Sequence, residues 1–404
     1  MRTVFPPKSN IAPPLCVRGH RKPIARCVGR TTVHPMAHST PSTTSEVTAS
    51  WLTDALREGG TIPGTAMVAS VESDPAAAGV GFMGEVGTLQ VTYGGEGALG
   101  APATMVIKFP TASADVMEMM RPTRVYEREH RFYQVLASET PLRVPTPFHV
   151  TCKTSGDPAV DEEYVLVMED LSALTIGDQV AGLSPEQTAA ALRGLAAHHA
   201  HFWNGAHLGA APFVPDIDGP LNMAGEAIYA ASLPGFLEVF GHALLPEMRP
   251  LADGYGPNHP QLLRRFAAMP HTLVHFDYRA DNLFFDDVGD VVVIDFQAIS
   301  KGGGAADVGY LLSQNLDSDV RREHEDELLH TYHDTLLANG VRGYEFDQLA
   351  ADYRVGVVYG FVIPVFAVGS LDASSERAIA LWTAVLERVQ DAIGQHDAHS
   401  LLDL

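Results

Sequence analysis

The spacing of apolar residues changes character along this chain, from the short runs and alternation of strands to the three-and-four spacing of helices. In the first part, "GEVGTLQVTYGG" (84–95) and "TMVIKFP" (104–110) read as strands, the second stopped by Pro110. "EEYVLVMEDL" (162–171) reads as a buried strand that turns polar at its exit. "TASWLTDALREGG" (48–60) is a short helix ended by its Gly pair, and "VYEREHRFYQVLA" (125–137) is a helix whose Tyr126, Phe132, Tyr133 and Leu136 supply an apolar stripe.

Further on, the pattern is helical. "LSPEQTAAALRGLAAHHAHFW" (183–203) opens with Ser184 as N-cap, Pro185 at the first helical position and Gln187 at the third, a capping-box start. Helical periods return at 321–339 and 375–394. Between these helices, "LVHFDY" and "VVVIDFQ" are β-rich pieces separated by a turn at "DDVGD" (286–290), which predicts a hairpin. "VGVVYGFVIPVFAVG" (355–369) falls short of the roughly 18 residues of a membrane span and predicts a buried helix kinked or broken near Pro364. The expected class is α+β: a β-rich lobe over 46–168 and a mainly helical lobe over 169–404.

Residues 1–45 stand apart. They hold seven Lys or Arg, no Asp or Glu, and many Pro, Ser and Thr, with no strong amphipathic period. Such a segment reads as an extension outside the fold: disordered, a targeting segment, or upstream of a true start at Met36. The remaining 20 basic and 49 acidic residues carry a net −29, against −22 for all 404. That balance argues against a surface for nucleic acid or anionic membrane. Three cysteines, Cys16, Cys27 and Cys152, have no metal or disulfide spacing, so a reducing cytosol is the expected compartment.

The candidate chemistry lies in four separated stretches. "GVGFMG" (79–84) places Gly79, Gly81 and Gly84 just before a strand rather than a helix, which favours a flap over phosphates to a dinucleotide-binding turn. Lys108 is a lone cation in an apolar strand, placed to meet α- and β-phosphates if a helix carboxylate steadies it. Glu129 is the preferred partner and Glu127 the alternative; two residues apart, they point about 200° from one another on a helix. "LVHFDYRADNLFF" (273–285) then sets His275, Asp277 and Asn282 in apolar surroundings, and "VIDFQ" adds Asp295 beyond the hairpin. Phosphoryl transfer needs a carboxylate at the attacking hydroxyl and oxygen ligands for Mg²⁺. Asp277 fits the first need, Asn282 and Asp295 the second.

With these residues in place, H-x-D-x(4)-N followed by an I-D-F hairpin resembles the protein-kinase-like bilobal fold. "HFDYRADNLFF", "VVVIDFQ" and "GGGAADVGYLL" resemble its small-molecule branch more closely: aminoglycoside phosphotransferases, choline kinases and the ecdysteroid-kinase-like group. The likeness spans about residues 60–390 and includes "EREHRFY", "LVMEDL" and "LAAHHAHFW". It implies ATP and Mg²⁺ as cofactors and a small-molecule hydroxyl as acceptor. It also implies Met168 at the back of the adenine pocket, backbone bonds to adenine from Glu169 to Leu171, and Asp307 bracing the catalytic loop. His275 reads as a brace of that loop rather than a general base. One departure is Phe276, where the family commonly has Gly.

DFQ in place of DFG, with no long activation segment, points away from protein kinases. A nucleotide-binding regulator without transferase activity is the alternative, disfavoured because Lys108, Asp277 and Asp295 are all present. "HHAH" (His198, His199, His201) has metal-like spacing, but no cysteine stands nearby and the helix matches a family helix. The acidic balance suits an amino sugar as acceptor, whereas the likeness of the "IDFQ" segment to the ecdysteroid-kinase-like group favours an apolar or alicyclic alcohol.

Overall fold

The computed structural model of the chain describes residues 39–74, 84–154, 162–370 and 375–402. Helix α1 (Ala49–Glu58) starts where the Trp51 N–H donates to Thr48 Oγ1, and it buries Trp51, Leu52, Ala55 and Leu56. That face packs on an antiparallel sheet of β1 (Ala66–Asp74), β2 (Gly84–Gly95), β3 (Thr104–Pro110), β4 (Pro147–Lys153) and β5 (Glu163–Glu169), ordered β1-β2-β3-β5-β4. The strands expected at 84–95 and 104–110 have those bounds. Packing begins ahead of residue 46: buried Thr44 donates through its N–H (2.8 Å) and its hydroxyl (2.5 Å) to Glu85 Oε1.

After β3 come α2 (Ala114–Met120) and α3 (Val125–Arg131), whose last turn loosens into a π-helical stretch over Phe132–Leu136. The expected apolar stripe holds, since Tyr126, Phe132, Tyr133 and Leu136 are all buried. Next follow β6 (Thr175–Ile176), α4 (Pro185–His201), α5 (Pro220–Met223), α6 (Gly225–Phe240) and α7 (Arg249–Ala268). The capping box at Ser184 and Gln187 is formed in both directions. The chain then runs through β7 (His271–Val274), β8 (Leu283–Phe285), β9 (Val291–Val293) and β10 (Ser300–Gly303). It closes with α8 (Ala305–Asn315), α9 (Ser318–Ala338), α10 (Phe346–Gly360), α11 (Val362–Ser370) and α12 (Glu376–Gln395).

The hairpin differs from the sequence expectation in which strand it uses. "LVHFDY" does not pair with "VVVIDFQ"; the turn at 286–290 joins β8 to β9, while β7 ends at Val274 and pairs with β10. Strand β7 stops because Phe276 takes φ of +66°, outside the extended region. The loop so released carries His275 and Asp277.

Helix α10 ends where the proline predicts. Pro364 has no N–H for the Gly360 carbonyl four residues back, and that carbonyl accepts from Gln314 Nε2 instead (2.8 Å). The combined stretch Phe346–Val368 is longer than the sequence pattern indicated. By length and composition it is able to cross a bilayer, yet 72% of its apolar window is buried inside the protein. Gly309 on α8 and Gly356 on α10 explain part of that burial: a Cβ on Gly309 would stand 2.3 Å from the Gly356 backbone, so only glycine lets the two helices cross this closely.

Candidate active site

Three elements meet at one cation. Lys108 points from the middle of β3, Glu129 from α3, and Asp295 from the residue beyond β9 and Ile294. Lys108 Nζ lies 2.8 Å from Glu129 Oε1 and 3.1 Å from Asp295 Oδ1. Burial disfavours the ammonium, but Asp295 and Glu129 outweigh it and the Lys108 pKa is raised. Burial raises that of Glu129, with Lys108 opposing. Glu127 is elsewhere, held by Arg131 Nε at 2.7 Å and by Arg124. The 200° separation on the helix thus resolves in favour of Glu129.

The loop after β7 is built around Asp307 at the start of α8. Its carboxylate accepts the backbone N–H groups of His275 and Phe276, each at 2.7 Å, and the ring of His199 at 3.1 Å. His275 has both nitrogens committed. Nε2 donates to the Ile294 carbonyl (2.9 Å) and Nδ1 accepts from the Asp277 N–H (3.3 Å), which fixes the orientation of the ring. His275 and Asp307 are therefore positioning residues. They hold a turn in which Phe276 is left-handed, and this explains why glycine suits the place. Phe276 is stabilised there by stacking on Tyr359 at 4.7 Å and 16°.

Asp277 stands at the tip of this turn. Oδ1 accepts from Tyr310 Oη (3.0 Å) and faces Arg279 Nε (3.3 Å), and Oδ2 accepts from Asn282 Nδ2 (3.1 Å). Burial raises its pKa; Arg279 pulls the other way and Asp295 adds to the rise. Sequence reasoning missed Tyr310 and Arg279. Arg279 lay within the quoted loop two residues past Asp277, and Tyr310 is one helical turn after Asp307.

Asn282 and Asp295 are brought together at the base of the β8–β9 hairpin, where Ile294 N–H donates to Asn282 O (3.1 Å). With Asn282 Nδ2 donating to Asp277, its amide oxygen is the atom able to ligate a metal; among the described residues Asp295 Oδ2 accepts only from Gln297 Nε2, at 3.2 Å. An all-oxygen donor pair with a carboxylate suits a hard divalent cation such as Mg²⁺.

Gly84 opens β2 above Lys108. A Cβ there would meet the Phe109 carbonyl at 2.7 Å and Lys108 Cε at 3.8 Å. Gly79 and Gly81 lie outside the described residues. Met168 is buried near the end of β5, and the Glu169 N–H donates to Thr146 O (2.9 Å). That amide is not free for a base, and the Leu171 carbonyl already accepts from the Leu174 N–H (2.8 Å), so two of the expected Glu169–Leu171 backbone groups have partners within the fold. The histidines of "HHAH" separate. His198 bonds Thr140 Oγ1 (2.7 Å) and the Leu273 carbonyl (3.0 Å); His199 bonds Tyr332 (2.7 Å) and Asp307; His201 turns away to stack on His207 at 4.3 Å.

The sequence profile of the ecdysteroid kinase-like family matches residues 78–341. No curated protein matches the chain. Among solved structures, choline kinase from Cryptosporidium parvum Iowa II superposes with a TM-score of 0.52 at 10% identity, covering 83% of this chain and 94% of that one. Ethanolamine kinase of Plasmodium vivax gives 0.47 at 11% identity, covering 81% and 83%. A macrolide 2′-phosphotransferase from Brachybacterium faecium gives 0.41 at 15%, covering 82% and 97%. The choline kinase match carries the fold assignment: a protein-kinase-like α+β fold with a small sheet lobe and a larger helical lobe.

Proposed function

The chain belongs to the ecdysteroid kinase-like family, and on that premise we propose that it is an ATP- and Mg²⁺-dependent kinase acting on a hydroxyl of a small, largely apolar or alicyclic molecule. The observation that carries this reading is the joining of Lys108, Glu129 and Asp295 across both lobes, within one loop of a carboxylate fixed by three donors. Nothing in the site favours the alternative of a regulator without transfer. On this reading the partner is a small molecule, and an ATP-dependent reaction fits an aqueous, cytoplasmic setting.

Lys108, steadied by Glu129, neutralises charge on the α- and β-phosphates, and Gly84 leaves room for them above it. Asn282 and Asp295 would hold Mg²⁺, which would supply positive charge to offset that of the phosphates. Asp277 accepts the proton of the acceptor hydroxyl as that oxygen attacks the γ-phosphorus; the bond to the β-phosphate oxygen breaks and ADP leaves. Tyr310 and Arg279 fix Asp277 through Oδ1 and leave part of Oδ2 for the substrate. Catalysis on this scheme is positioning and charge neutralisation, without a covalent intermediate.

The test is ADP release with Mg-ATP across amino sugars, choline-like alcohols, sterols and alicyclic alcohols, with Asp277→Asn in parallel. Acceptor-dependent ADP that vanishes in the variant supports the kinase. Release that persists in Asp277→Asn removes Asp277 from the role assigned to it.

A further inference from the structure

Beside the catalytic loop lies a cavity of about 130 Å³, whose walls include Arg128, Asn222, His259, Phe276, Tyr359 and Phe366. Cavities on the order of 150 Å³ hold a single six-membered ring. Asp277 itself is not in the wall, but Phe276 precedes it in the chain, and burial together with the charge of Asp277 raises the pKa of the Tyr359 hydroxyl, which ties this wall to the proposed base. Most of the wall is apolar or aromatic, and two polar side chains in it are incompletely satisfied.

Arg128 is only 5% exposed. Its Nη1 reaches the Ile299 carbonyl at 3.3 Å, and among the described residues its Nε has no hydrogen-bond partner. Among the described residues no carboxylate lies within ion-pair distance of it. Burial and the nearby Arg124 pull its pKa down to about 10. Other buried arginines are compensated: Arg321 meets Glu325 and Asp391, each at 2.7 Å, and Arg388 meets Asp317 at 2.5 Å. An unpaired buried cation is costly, and in a chain of net charge −22 it is out of keeping with its surroundings. His259 is 3% exposed; its Nε2 donates to the Asn222 carbonyl (3.2 Å), which leaves Nδ1 as an acceptor with no partner.

We propose that this cavity is the acceptor site and that the acceptor is a ring-sized hydroxy acid. Its carboxylate pairs with Arg128, its apolar body lies against Phe276, Tyr359 and Phe366, and one hydroxyl faces Asp277. His259 Nδ1 takes a hydrogen bond from a further donor on the ring. This inference rests on the kinase reading and narrows its acceptor from apolar alcohols to those bearing an acid.

The experiment is calorimetric titration of the full chain, which reads binding without turnover. The probes are 4-hydroxycyclohexanecarboxylate and its neutral carboxamide. A charge-assisted pair predicts about tenfold or tighter binding of the acid to wild type. Arg128→Met should erase that preference while its thermal midpoint stays at or above wild type, because an uncompensated cation has been removed. Arg128→Lys should keep part of the preference and guards against a misfolded Met variant. Equal binding of acid and amide, no binding of either, or a preference that survives Arg128→Met overturns the proposal. Asp277-dependent ADP release with a neutral alcohol, undiminished in Arg128→Met, also overturns it and leaves the kinase intact. Acid binding with no Asp277-dependent ADP release for any acceptor supports the anion site and sinks the kinase reading instead.

Discussion

Two carboxylates in the helical lobe, Glu325 buried and Asp277 partly buried, have nearly the same companions and opposite behaviour. Glu325 on α9 accepts from Arg321 (2.7 Å), Tyr353 (2.5 Å), His396 (2.8 Å) and Gln395 (3.2 Å). Asp277 in the catalytic loop likewise has an arginine, a tyrosine and a side-chain amide. Burial raises the pKa of both. At Glu325 the bonds from His396 and Tyr353 and the charge of Arg321 overcome it, and the result is a lowered value. At Asp277 the nearby Asp295 sides with burial against Arg279, and the result is raised. One network is closed, every oxygen saturated from within; the other is kept open and under like-charge repulsion. The first arrangement builds stability; the second suits the proton-accepting role proposed for Asp277.

The sharpest way to separate the two is to neutralise each carboxylate without changing its shape. Asp277→Asn should lower phosphoryl transfer by about 10²–10⁴-fold, with Mg-ATP binding retained, read by ADP release and nucleotide titration. Its stability should equal or exceed wild type at neutral pH. The sign follows from the raised pKa: ionised Asp277 is penalised only in the folded state, so its contribution worsens as pH climbs through the window above 3.8. Glu325→Gln should do the reverse, leaving the reaction at the cleft alone while costing about 3 kcal/mol in urea unfolding, since Arg321 loses one of its two counter-ions. A lowered pKa gives stability that is present above 4.5 and lost as pH falls through the folded value, so the gap between variant and wild type should close in acid. A stabilised Glu325→Gln, or a strongly destabilised Asp277→Asn, would collapse the distinction.

A smaller effect tests the tuning. Arg279 is the main group holding the Asp277 pKa down. Arg279→Met should therefore move the acid limb of the pH–kcat/KM profile to higher pH. An unmoved limb would mean that Arg279 serves only Asp281, 2.9 Å away.

How much of this was legible in the sequence depended on what kind of statement a residue makes. Strands β2 and β3, the Ser184 cap and the set Lys108, Asp277, Asn282 and Asp295 are written in local pattern and spacing, and they stand where the pattern put them. The partner of β7 was misread because pairing is decided by a turn at Phe276 whose positive φ no apolar residue announces. Glu129 was separable from Glu127 only by helix phase. Tyr310 lay one helical turn from Asp307 but its role needed the distant loop it approaches, and nothing in the sequence marked Arg128, which stands out through a partner it lacks. Burial without compensation is a tertiary fact.

The smallest expected effect bears on the same contrast, through backbone rather than charge. Phe276 holds φ of +66° beside Asp277, a conformation that costs a non-glycine residue about 1–2 kcal/mol. Against this stands its stacking on Tyr359, a contact worth about 0.5–1.5 kcal/mol beyond the buried area. Phe276→Gly removes both at once, and the two N–H bonds into Asp307 remain to hold the turn. Strain and stacking roughly cancel, so unfolding free energy should fall by about 1–3 kcal/mol, the transfer cost of a partly buried ring, while the cavity beside Asp277 gains the volume of a benzyl group. The expected signature is a split: KM for a ring-sized acceptor rises because its stacking wall is gone, and kcat, set by Asp277, changes little. A larger loss of stability would show that the loop is held by the aromatic pair. An unchanged KM would move the acceptor out of this cavity.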